Sequence, residues 1–150
     1  MKHYSFLGLY NEKGWHSPAY ISIDDNGVIT QLQTKPDSNL KYEKHNAWFI
    51  PGFQNLHSHV FQYAMAGTSE RNGKKYDTFW TWRENMYHLA LTLSPEQIET
   101  IAEFTYMQML KFGTTHVAEF HYLHNDTNGK PYSNPNEIGE RLLGAAKRVG

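Results

Sequence analysis

Two histidines, His57 and His59, stand one residue apart behind a Pro51-Gly52 turn in the stretch PGFQNLHSHVFQ. On a strand, side chains two apart share a face, so both imidazoles are expected on one side, where a single divalent ion could accept both. Asn55 is expected on that side too, with Leu56, Ser58 and Val60 facing away. The spacing alone is a weak signal in a chain with nine histidines. It also describes an unfinished site, because catalytic zinc normally takes three protein ligands and keeps one position for water. The chain has no cysteine, which excludes disulfides and thiolate zinc and leaves His, Asp and Glu as ligands. His121 and His124 lie three apart near Glu119. That spacing would suit ligands on a helix, but the local pattern is a strand running into a loop, so they are expected beside the site or at the surface.

Bulk properties narrow the partners. The 150 residues carry 14 Lys and Arg against 15 Asp and Glu, so no global field favours nucleic acid or an anionic membrane. No apolar run approaches the ~20 residues a membrane helix needs, and the start, MKHYSFLGLYNEKGW, lacks a signal-peptide core. The chain is therefore expected to be soluble and intracellular, with no nucleic-acid or membrane partner.

The elements that must position the histidines fall into two stretches. Residues 1–46 read as a small β-rich unit: YSFLGLY is followed by AYISIDDNGVITQL, where Asn26-Gly27 suits a type I′ hairpin turn. The polar run Thr34 to Asn46 is expected to separate this unit from the rest. Residues 47–150 read as two βα units. AWFIPGFQNLHSHV is expected to be a strand interrupted or bent at Pro51-Gly52. The polar loop GTSERNGKKYD leads to a short helix with Phe79, Trp82, Arg83, Met86 and Leu89 at helical spacing, whose Phe79, Trp80 and Trp82 would pack as a lid. A longer helix begins with Ser94 as N-cap, Pro95 at its first position and Gln97 closing a capping box. It ends at Gly113, with Ile98, Ile101, Ala102, Thr105 and Met109 as its buried stripe. TTHVAEFHY is the second strand, and a final helix opened by Asn134-Pro135-Asn136-Glu137 would bury Ile138, Leu142, Ala145 and Val149. Histidines at the C-terminal end of the first βα strand would point to the mouth of a (β/α)₈ barrel, where the active sites of that fold lie.

WFIPGFQNLHSHVFQYAMAG, DTFWTWRENMY, LSPEQIETIA and VAEFHYLH together closely resemble the N-terminal part of the formimidoylglutamate deiminases of the amidohydrolase superfamily. The PG-x-x-N-x-H-x-H pattern marks only the superfamily, whereas FWTWRE and AEFHY narrow it. The resemblance implies the start of a metal-dependent (β/α)₈ barrel, incomplete here, preceded by part of a small β-sandwich. It implies one zinc ion, with His57 and His59 as first-strand ligands, and Gln62, Arg83 and Tyr122 holding the glutamyl part of the substrate. The implied reaction is hydrolysis of N-formimidoyl-L-glutamate to N-formyl-L-glutamate and ammonia in histidine degradation, by a cytoplasmic enzyme that is a homodimer at full length. A cationic fork suits a dicarboxylate, since guanidinium offers two parallel donors to one carboxylate. The plain alternative for Arg83 is surface pairing with Glu84 or Glu70; for Gln62 it is a loop contact, and for Tyr122 a half-buried aromatic.

The third metal-ligand histidine, the catalytic histidine and the metal-binding aspartate of the family have no counterparts here. Residues 1–150 alone are thus expected to be inactive. Two other readings stay open: another aminohydrolase, such as a purine deaminase, and a non-catalytic remnant or assembly module.

Overall fold

The computed structural model describes residues 1–68 and 78–150. Two compact units divide the chain, Met1–Pro51 and Gly52–Gly150. The first is a five-stranded sheet of β1 (Lys2–Asn11), β2 (Gly14–His16), β3 (Ala19–Ile23), β4 (Ile29–Gln33) and β5 (Glu43–Phe49). One edge of β1 is shared by antiparallel β3 and β2, and the other takes β5 in parallel. Leu9, Ala19 and Ile21 form the buried cluster, with Tyr4, Phe6, Ile23 and Leu32 packed against it. At Gly8 the Trp48 ring lies where a Cβ would stand, so only glycine lets β5 approach there.

Three local expectations change. The β3–β4 hairpin forms, but not on a type I′ turn, since only Gly27 takes positive φ (82°). The Asp24 carboxylate instead accepts the amides of Asn26 and Val28, each at 2.9 Å, giving a wider loop with a register shift at Ser22/Ile23. The expected separator ends early, because Glu43 to Asn46 already belong to β5. Of the two expectations for Pro51-Gly52, interruption is what occurs, and it separates two sheets: β5 closes the first at Phe49, and β6 (Phe53–Ser58) starts the second unit. Proline has no amide to give a ladder, so the two runs join different sheets. The expected division at 46/47 therefore falls inside β5.

In the second unit β6 pairs in parallel with β7 (Thr114–Glu119). A 3₁₀ helix, Val60–Met65, follows β6, and then come α1 (Phe79–Ala90), α2 (Pro95–Lys111) and α3 (Glu137–Val149). Most of the polar loop expected before α1 lies outside the described residues. Thr78 caps α1 in a capping box with Thr81 that the sequence reading had not singled out. Ser94 and Gln97 form the expected box on α2, with the Gln97 amide donating to Ser94 Oγ (3.3 Å) and the Ser94 amide to Gln97 Oε1 (2.9 Å). Gly113, at φ 86°, ends α2 and turns the chain into β7.

The core of this unit joins Val60 and Phe61 to Ile98, Ala102 and Tyr106 of α2, Leu123, and Ile138, Leu142 and Ala145 of α3. Ile101 and Met109 are only half-buried. α1 buries no residue fully: Met86 and Leu89 rest on the core, while Phe79 and Trp80 are each 63% exposed. No helix among the described residues is long and apolar enough to cross a membrane.

Candidate metal centre

The ends of β6 and β7 lie side by side, with Ser58 opposite Glu119. Pairing is interrupted between Asn55 and Ser58, where Asn55 Oδ1 accepts the His57 amide at 3.2 Å. The two imidazoles meet beyond that break, with His57 Nε2 and His59 Nε2 2.8 Å apart. Leu56 and Ser58 do not share a buried face: Leu56 is 77% exposed and Ser58 is buried.

The protonation of His59 follows from its other nitrogen. His59 Nδ1 lies 2.6 Å from the carbonyl oxygen of Phe120. A carbonyl only accepts, so Nδ1 carries the hydrogen, and the tautomer that this selects has its lone pair on Nε2. His57 Nε2 and the Tyr122 hydroxyl, 3.2 Å away, are the donors that face it. A carbonyl behind the outer nitrogen is the usual way a ligating histidine is oriented. Two nitrogens on tetrahedral zinc with bonds of ~2.0–2.1 Å lie ~3.3 Å apart, so a slight opening of the pair would seat an ion. The donors thus fit a divalent metal, as part of a site. Among the described residues no group of three or more His, Asp or Glu gathers within ligating reach.

His57, Ser58, His59, Glu119, Phe120 and Tyr122 line an open cleft of about 360 Å³. Tyr122 enters it at φ 62°, a left-handed conformation that costs a bulky residue roughly 1–2 kcal/mol. Its ring stands 4.5 Å from that of His59 and 4.6 Å from that of Phe120.

Gln62 and Arg83 sit elsewhere, on the 3₁₀ helix and on α1, and do not line the cleft. Gln62 Nε2 donates to Met86 Sδ at 3.3 Å. Arg83 donates from Nε (3.1 Å) and Nη2 (2.9 Å) to the Tyr87 hydroxyl, and its guanidinium stacks over the Trp80 and Tyr87 rings. Among the described residues it has no carboxylate partner. Glu84 does not pair with it, and Glu70 lies outside the described residues.

Glu119, which the sequence marks only as a neighbour of His121 and His124, accepts the Val60 amide on Oε1 at 2.8 Å. Its Oε2 and His121 Nδ1 are buried without a hydrogen-bond partner among the described residues. Burial, reinforced by His124, holds the His121 imidazole below its usual pKa. The backbone carbonyl of Phe120 has no sequence signature at all.

Residues 48–149 match the Amidohydrolase family, and the chain belongs to it. A solved amidohydrolase from Brucella melitensis superposes with a TM-score of 0.89 at 41% identity, over 99% of this chain and 33% of that one. The formimidoylglutamate deiminase of Pseudomonas aeruginosa is 46% identical over 139 residues, which cover 92% of this chain and 30% of that protein. The chain thus spans about a third of the length of these relatives.

Proposed function

We propose that this chain contributes the first metal ligands and part of the substrate site of a metal-dependent formimidoylglutamate deiminase. The observation that carries the metal reading is the convergence of His57 Nε2 and His59 Nε2 with His59 Nδ1 held on a carbonyl. The substrate reading rests on the similarity to the named deiminase and on the resemblance in FWTWRE and AEFHY. In this reading residues 52–150 are the first two βα units of a (β/α)₈ barrel, and residues 1–51 belong to a β-sandwich. The metal is zinc. The enzyme works in the cytoplasm, in histidine degradation, as a homodimer.

When bound, the ion would lower the pKa of a water molecule and supply hydroxide for attack on the formimidoyl carbon. The chain's own residues prepare that step. Phe120 O holds the His59 hydrogen on Nδ1 and so keeps the Nε2 lone pair turned toward His57. His57 can carry its own hydrogen on Nδ1 instead, which frees its Nε2. Arg83 is braced by the Tyr87 hydroxyl through Nε and Nη2, leaving the Nη1 edge for a substrate carboxylate. Tyr122 and Gln62 offer a hydroxyl and an amide to the glutamyl group.

The test uses the protein at its natural length. Wild type is expected to hold one divalent ion by elemental analysis and to release ammonia from N-formimidoyl-L-glutamate. Replacing His57 and His59 together with Ala should abolish both. A folded double variant that retains stoichiometric metal overturns the metal reading; loss of metal without any wild-type turnover of this substrate overturns the substrate reading. Residues 1–150 alone, with two imidazoles as ligands, should show neither tight zinc nor turnover.

A further inference from the structure

Glu119 ends β7 and reaches across to the strand that bears the histidines. Its Oε1 accepts the hydrogen of the Val60 amide at 2.8 Å, the first amide after His59. That amide opens the 3₁₀ helix, whose N-cap residue, His59, makes no side-chain capping bond of its own. Glu119 supplies the missing acceptor from 59 residues away. Two more bonds join the same dipeptide to the same three residues. The Phe120 amide donates to Ser58 O at 2.9 Å, and His59 Nδ1 donates to Phe120 O at 2.6 Å.

We infer that Glu119 is a positioning residue for His59: by holding the Val60 amide it fixes the backbone from which the imidazole projects, and so keeps Nδ1 on Phe120 and the Nε2 lone pair aimed at His57. The inference rests on the reading of His57 and His59 as metal ligands.

The need for such a hold is local. Strand pairing is already interrupted between Asn55 and Ser58, and Ser58 opposite Glu119 is the last pair of the ladder. Beyond it, among the described residues, these three bonds act on the turn of the chain at His59 together with the Gln62 amide, which donates to His59 O at 3.0 Å. Two of them lie on the Phe120 backbone and act on Ser58 and the ring; the third, from Glu119, restrains the peptide plane that follows. A carboxylate makes a stronger acceptor for an amide than a neutral group does. Its second oxygen is buried without a partner among the described residues, an arrangement that costs free energy and is retained here against that cost. Val60 itself is 2% exposed, so water cannot readily replace the carboxylate at its amide.

The experiment uses the protein at its natural length, stripped of metal and labelled with ¹⁵N. The His59 tautomer is read from long-range ¹H–¹⁵N correlations, Val60 protection from amide exchange, and metal affinity from titration with cobalt(II) alone. In wild type His59 is expected as the Nδ1–H tautomer with a protected Val60 amide. Glu119→Ala should mix the tautomers, speed Val60 exchange by about tenfold or more and weaken cobalt binding by about tenfold or more. Glu119→Gln keeps an acceptor of the same reach and should restore the tautomer, with affinity within about threefold of wild type. A folded Glu119→Ala protein with the wild-type tautomer and wild-type cobalt affinity overturns the inference. Should Glu119→Ala fail to fold, Glu119→Asp decides: it keeps the charge but falls one methylene short, so it should mix the tautomers where Glu119→Gln does not, and the reverse order overturns the inference. If wild type binds no cobalt yet the tautomer still depends on Glu119, the metal reading falls and the positioning role stands.

Discussion

Between α2 and α3 the charges are paired over an apolar seam. Arg141 bridges Glu96, Glu99 and Glu137, and Arg148 bridges Glu99 and Glu103, above Ile98, Ala102, Ile138, Leu142 and Ala145. At the ends of β6 and β7 the polar groups are left wanting. Two imidazole nitrogens face each other, and Glu119 Oε2 and His121 Nδ1 are buried without partners among the described residues. Even the left-handed turns differ: Gly113 takes φ 86° at the end of α2, where glycine adopts it without strain, whereas Tyr122 takes φ 62° with a full side chain. On the helical face each of those four carboxylates meets a guanidinium. The strand end tolerates strain and unmet hydrogen bonds, as sites that bind do.

The comparison breaks most visibly if core and site are energetically one. Ile138→Ala should lower unfolding free energy in urea by about 3 kcal/mol, yet leave the cobalt affinity of the folded protein unchanged. A parallel loss of affinity would mean that the α2–α3 seam also sets the histidine geometry. On the binding side, Arg83→Lys keeps the charge and loses the fork, so kcat/KM for N-formimidoyl-L-glutamate should fall by an amount equal to about 1.5–3 kcal/mol. A carboxylate-free amidine should be spared, and equal harm to both substrates would make Arg83 a structural residue. The two turns sharpen the contrast at smaller cost. Gly113→Ala should destabilise by about 1 kcal/mol, because a Cβ is disfavoured at that φ, whereas Tyr122→Asn should stay within about 0.5 kcal/mol, asparagine being tolerant of the conformation.

The smallest effect is the pH dependence of the ion pairs. Hydrogen bonds from Arg141, and then from Arg148, hold the Glu99 carboxyl below its ordinary value of 4.5. A folded pKa below the unfolded one stabilises fully above the unfolded value and loses that contribution as pH falls through the folded one. The gap in Tm between wild type and Arg141→Met should therefore be present near neutrality and close on acidification well below 4.5. Added salt should narrow it too, since the Glu96 end of the network is exposed. A gap that persists in acid would assign the effect to packing of the Arg141 stem rather than to charge.

Some of the molecule was legible because its causes are local. Ser94, Pro95 and Gln97 start α2 through contacts three residues long, Gly113 stops it, and Ile138, Leu142 and Ala145 line one side of α3 through helical period alone. The Amidohydrolase family was legible in the same way, from short runs of residues around His57 and His59. The hairpin was readable, but its turn type was not, because the Asp24 side chain competes with the backbone for the turn amides. The extent of β5 was also hidden: its polar residues 43–46 pair through the backbone of β1, which no periodicity announces.

By itself, then, the sequence determined the helices, the cap of α2 and the side-by-side histidines, all of which depend on neighbours within a turn or a strand repeat. Tertiary structure alone decided which sheet each strand joins, where Arg83 and Gln62 lie, and which nitrogen of His59 is open. That last choice belongs to a carbonyl oxygen 61 residues away, a group every residue carries and whose direction only the packed β6–β7 pair sets.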